Sequence, residues 1–167
     1  MLVIFSFLNN SQTKTIISAN RYNSVIELVK NTCVTIPDMD DKYFCFKNGN
    51  YRGPDRIDNG WNHPEHSEML DSIVVIQSNS GFSEYAIVPI VFNGGGSGYL
   101  YYFLLFGIMD TCITQLDYDG IRDSTLYGRF KSMRASGDTV LVEVDDEPHI
   151  TNKFLIRGNK LIYLNNR

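Results

Sequence analysis

Two apolar runs, Tyr85 to Phe92 and Tyr99 to Phe106, are separated only by Asn93-Gly94-Gly95-Gly96-Ser97-Gly98. Glycine accepts positive φ without steric cost, and two β-type runs joined by so short a link read as a hairpin. The second run lacks polar–apolar alternation, which implies burial on both faces or an outer face covered by other elements. The glycines do not form a phosphate cradle, because they lack a Lys-Ser/Thr ending and lead into a strand rather than a helix.

A chain of 167 residues is one domain, large enough for its own core. Ten Tyr and ten Phe against a single Trp lean towards sheet, since aromatic side chains suit pleated surfaces. The net charge of −4 and the scattered Lys and Arg argue against nucleic-acid binding, which needs clustered cations on the phosphates. A protein partner is the expectation instead, with no cofactor. Tyr99 to Met109 is too short to span a bilayer.

Along the chain, Val3 to Leu8 and Thr13 to Ser18 flank Asn9-Asn10-Ser11-Gln12 as an opening hairpin. Arg21 to Lys30 is the one helix candidate, with Tyr22, Val25, Ile26 and Val29 at helical spacing and Ser24 or Asn20 as competing caps. Asp38, Asp40 and Asp41 read as loop. Tyr43 to Phe46 and a strand from Tyr51 are joined through Asn48-Gly49, which suits a type I′ turn. Gly53 to Leu70 reads as a long polar loop, the place for any site not made by the sheet. Strands follow at Ile73 to Gln77, Glu84 to Phe92, Tyr99 to Phe106, Thr111 to Tyr118, Gly128 to Ala135, Val140 to Val144, Lys153 to Arg157 and Lys160 to Leu164. Pro89 has no N–H for a ladder, so its strand is expected at an edge or bulged there. The fold class is mainly β (α+β): a single antiparallel domain over residues 1–167, curled sheet or barrel-like sandwich, with one short N-terminal helix. Residues 1–42 supply the hairpin and helix, and 43–164 the β core.

Cys33, Cys45 and Cys112 make an odd count. Cys33 and Cys45 could close a short loop in an oxidising compartment with Cys112 a buried thiol, or all three are buried and unbonded. Met1 to Leu8 is apolar but lacks a charged start and a small-residue cleavage site, so it reads as a first strand or as the remnant of a leader. If the N-terminus is complete as written, the cytoplasm is the expected compartment.

Phe46-Lys47-Asn48-Gly49-Asn50-Tyr51, the Asn-Gly-Gly-Gly-Ser-Gly hairpin followed by Tyr101-Tyr102, Leu126-Tyr127-Gly128-Arg129-Phe130-Lys131-Ser132 and a closing hairpin from Phe154 to Leu164 occur in a familiar order. Over roughly Tyr43 to Leu164 the chain resembles a group of uncharacterised bacterial secreted or periplasmic β-rich proteins. That resemblance implies a β fold and a periplasmic or secreted location, and it carries over no catalytic residue. Two places depart from the group. Ser78-Asn79-Ser80-Gly81-Phe82-Ser83 stands where an Asp-rich turn is usual, and Glu147-Pro148-His149 where paired cysteines are usual.

Several polar groups invite chemical readings. His63-Pro64-Glu65-His66-Ser67-Glu68 holds two imidazoles that, with Glu68, could ligate a zinc-like ion, as in a metal-dependent hydrolase. Pro64 opposes the helical geometry by which His-x-x-His ligands converge. Asp117-Tyr118-Asp119-Gly120 with Asp123 matches part of a calcium loop but lacks its closing Glu, so an Asx-type turn is expected. Asp145, Asp146 and Glu147 could meet a basic partner, or simply sit in a solvated turn. Trp61, Tyr99 and Tyr101 are candidate aromatic anchors for a protein partner. Cys112 has no basic neighbour to lower its pKa, and no Gly-x-Ser-x-Gly elbow occurs. These residues imply a non-catalytic binding protein, for example an immunity-type or inhibitor protein that neutralises a toxin or enzyme.

Overall fold

The central hairpin forms as its glycine-rich link implies: β6 and β7 pair antiparallel from Glu84↔Ile108 to Phe92↔Leu100. The computed structural model describes residues 17–37, 42–58, 61–78, 81–93, 100–120, 129–145 and 150–164. The expected opening hairpin at residues 3–18 (except its last two residues) and the loop residues Asp38, Asp40 and Asp41 lie outside them.

Among the described residues one helix, α1 (Ala19–Lys30), precedes twelve strands: β1 (Cys33–Ile36), β2 (Lys42–Cys45), β3 (Asn50–Asp58), β4 (Trp61–Met69), β5 (Val74–Gln77), β6 (Glu84–Asn93), β7 (Leu100–Met109), β8 (Cys112–Gly120), β9 (Arg129–Ser136), β10 (Thr139–Asp145), β11 (Ile150–Arg157) and β12 (Lys160–Leu164). Every strand pairing is antiparallel. A six-stranded sheet runs β3-β4-β6-β7-β8, with β5 also on β6; a four-stranded sheet runs β12-β11-β10-β9; β1 and β2 form a ribbon. The fold class is the expected β-rich α+β domain, and the sheets stay open rather than closing into a barrel.

The large sheet is a middle layer. Alternate residues of a strand face opposite sides, and in β6 and β7 both sides are apolar. Ala86, Val88, Ile90, Phe92, Tyr102, Leu104, Phe106 and Ile108 meet Val25 and Val29 of α1 and Val34, Ile36 and Phe44 of the ribbon. Tyr85, Ile87, Phe103 and Leu105 meet Met133, Val140, Val142, Phe154, Ile156 and Leu161 of the small sheet. Each large side chain so buried contributes about 1.5–3 kcal/mol. This double burial explains the missing alternation in β7.

The helix begins ahead of both expected caps, with Ser18 as the cap rather than Asn20 or Ser24. Ser18 Oγ accepts from the Arg21 amide at 3.2 Å, while Ser24 turns its hydroxyl back to the Asn20 carbonyl. Arg21 then docks the helix on the sheet: its guanidinium donates to both oxygens of the buried Glu84 carboxylate at 3.0 and 2.7 Å and to the Asp110 carbonyl at 2.7 Å. The hydrogen bond to Glu84 raises the Arg21 pKa above its ordinary value, so the guanidinium keeps its charge.

Pro89 is not at a sheet edge. It sits in the interior strand β6 at the point where the neighbour changes from β5, paired through Ile87, to β4, paired from Ile90. Its carbonyl accepts from the Leu70 amide at 2.9 Å on that side. The ring nitrogen faces the same gap, so no ladder bond is missed.

A bulge in β8 has a positional effect. Leu105 pairs with Asp117 but Phe106 pairs with Gln115, leaving Leu116 as the extra residue. Gln115 therefore shares a face with Phe106 and the helix layer, and Asp117 a face with Leu105 and the small sheet. Gln115 clasps the β1 backbone, accepting from the Thr35 amide at 2.9 Å and donating to its carbonyl at 2.8 Å. Asp117 accepts from the Leu161 amide at 2.8 Å and from Lys160 Nζ at 3.2 Å. The Asx-turn reading of Asp117 is thus corrected: it lies in a strand and fastens β12.

Gly107 is covered by Phe82, whose ring carbons lie 2.6–2.7 Å from where a Cβ would stand. Gly107→Ala is expected to lose about 1–3 kcal/mol in urea unfolding. Adding Phe82→Ala should make the second loss clearly less than additive, because each change acts through one contact.

Candidate functional site

The segment 53–70 is the largest departure from expectation. It is not a loop but most of the β3–β4 hairpin, registered Asn50↔Glu68, Tyr51↔Ser67, Arg52↔His66 and, past a bulge, Asp55↔Pro64 to Asp58↔Trp61. Its period of two is hidden because polar side chains occupy the inward positions. Glu65 and Ser67 are buried beside Met69, and Ser67 Oγ donates to the Val91 carbonyl at 2.9 Å. Asp58 pairs with Trp61 across Asn59-Gly60, and that Asn-Gly dipeptide is the signal that marks the hairpin. The bulge at Gly53-Pro54 admits a proline into the strand.

The turn that leads into β3 forms as the sequence implies. Asn48 and Gly49 have φ of 52° and 79°, the two positive values a type I′ turn needs. Lys47 and Asn50 exchange backbone bonds at 2.9 and 3.1 Å. Asn31 Oδ1 accepts from the Asn48 amide at 3.0 Å and ties the turn to the end of α1.

Together β2, this turn and the β3–β4 hairpin border an open groove of about 600 Å³, lined by Cys45, Lys47, Asn50, Tyr51, Arg52, His66 and Ser67. Lys47, Arg52 and His66 are exposed and bring three cationic or cationisable groups to one concavity, while Tyr51 closes its floor through an edge contact with Phe44 at 4.9 Å. Neither Lys47 nor His66 has an ion-pair partner among the described residues. The cations Lys30, Lys160 and Arg134, by contrast, are matched with Asp71, Asp117 and Glu143. The Lys30 ammonium holds the exposed Asp71 carboxyl below its usual range, chiefly through their hydrogen bond.

The disulfide is one of the two open readings of the cysteines. Cys33 and Cys45 face each other across β1 and β2 with Cα atoms 4.0 Å apart and are bonded, which excludes three free thiols. Cys112 is not buried as expected. It starts β8, beside the turn at Asp110, and is exposed.

The other sequence candidates fare differently. His66 and Glu68 project from the same exposed face of β4, since in a strand residues two apart, not three, share a face. His63 is on the same strand, with its side chain outside the described residues, as are those of Trp61 and Asp145. Among the described residues no three His, Cys, Asp or Glu side chains converge as ion ligands. Tyr101 is half-buried against the second core. Tyr99, Asp146 and Glu147 lie outside the described residues. No described helix is long and apolar enough to cross a membrane. Sequence reading missed Lys47 and Arg52, because a site shared between a turn and a hairpin depends on a register that composition does not reveal.

Peptide mapping without reductant should return a Cys33–Cys45 linked fragment, while Cys112 alone is alkylated in the folded protein. Cys33→Ser with Cys45→Ser should cost about 3 kcal/mol in chemical unfolding, as expected for closing a loop with a sequence separation of 12.

Comparison of the chain with protein-family models, curated proteins and solved structures finds no match.

Proposed function

We propose that this is a non-catalytic binding protein that engages a protein partner through the groove between β2 and the β3–β4 hairpin. The observation that carries this reading is the gathering of Lys47, Arg52 and His66, with Asn50, around one concavity on a chain whose net charge is −4. Local charge opposite to the whole is a recognition device: it orients an approaching partner and selects against those of like sign. The groove sits on strands rather than on a mobile loop, and the Cys33–Cys45 bond braces one wall. Rigid support of this kind lowers the ordering cost of association.

The disulfide also favours an oxidising compartment, in keeping with the periplasmic or secreted location that the resemblance implies. A neutralising protein, one that covers the working surface of a toxin or enzyme, is the concrete form we favour.

A photo-crosslinking residue at position 47 of the oxidised full chain should capture a discrete protein from extracts of the producing cell, and excess unlabelled protein should abolish that adduct. The same residue at position 131, exposed on β9, should not capture it. Equal capture at both positions would defeat this reading.

A further inference from the structure

We infer that the groove receives an extended segment of the partner bearing carboxylates at alternate positions, an inference that rests on the binding reading above. Two observations define that occupant. Among the described residues, strands β2 and β3 are each the last strand of their sheet, and both line the groove. A slot between two strand margins accepts a chain in extended form, because backbone groups of an outer strand are available for pairing. The second observation is charge. Lys47 and His66 are exposed and unpaired among the described residues, and Arg52 stands directly across from His66 on the same face. Glu68, two residues along β4, limits the positive stretch at one end. In an extended ligand every second side chain faces the same way, so carboxylates at alternate positions all face the side of the hairpin that carries Arg52 and His66. The acids elsewhere on the chain do not cancel this field at contact, since salt screens beyond about 10 Å.

The test uses the oxidised full chain and a fluorescent peptide with Glu at every second position and Thr between, followed by anisotropy. Its counterpart with Gln in place of Glu serves as the neutral control. The Glu peptide is expected to bind, and to weaken as salt is raised. Lys47→Glu should weaken it by about fivefold or more, Lys47→Gln and His66→Gln by less, and Lys131→Glu not at all, with melting temperatures confirming that each variant is folded. Equal binding of the Gln peptide, or equal loss in Lys131→Glu, overturns the inference. Displacement of the peptide by succinate or inorganic phosphate at comparable concentration also overturns it, by revealing a small-anion site. Crosslinking at position 47 without binding of the acidic peptide leaves the binding-protein reading standing and removes only the acidic segment.

Discussion

The structure depends on the burial of one hairpin on both of its faces. β6 and β7 feed alternate side chains into two separate cores, so this middle layer joins the helix with its ribbon to the small sheet. A sheet with one wet face tolerates polar substitutions on every second residue. Here neither face does, and the run Ile87 to Ile90 opposite Tyr102 to Leu105 is buried throughout and has few positions open to change. The layers are then fastened at their margins by side chains rather than by further strands. Arg21 on Glu84 secures the helix, Gln115 the ribbon, and Asp117 the small sheet. The β8 bulge is what lets two residues so near in sequence serve opposite layers.

Much of this was legible in the sequence for a simple reason: apolar runs, positive-φ turn residues and short links are local signals. The strands from β5 to β12, the Asn48-Gly49 turn and the double-faced β7 follow from them. Gly137 and Gly158 supply positive φ where the closing hairpins turn. The failures were physical too. The β3–β4 hairpin buries Glu65 and Ser67 where a strand usually buries apolar groups, so its alternation cannot be seen in hydropathy. Pro89 misleads because a strand can change neighbours midway, a property of topology and not of local chain. Cys112 looked buried because the apolar run before it was extended past a turn that positive φ at Asp110 makes possible.

The candidate site was the least legible part. Its residues come from a turn, a strand and the strand returning beside it, and only the register Arg52↔His66 places them together. The aromatic and acidic candidates were chosen by residue type, which says what a side chain could do but not what it stands next to. Not every polar group finds a partner: the buried Asn152 accepts from Tyr163 at 2.6 Å, yet its amide nitrogen has none. Such a group costs stability of about 1–3 kcal/mol, an amount that two apolar cores can absorb.

The Gln115 clasp has an implication for assembly. By offering an acceptor and a donor to one residue of β1, a carboxamide imitates the peptide group of an adjoining strand and occupies the margin of β1 that faces away from β2. A strand margin whose amide and carbonyl are already engaged gives an incoming chain no place to pair at that residue, so the ribbon is closed to strand addition at Thr35.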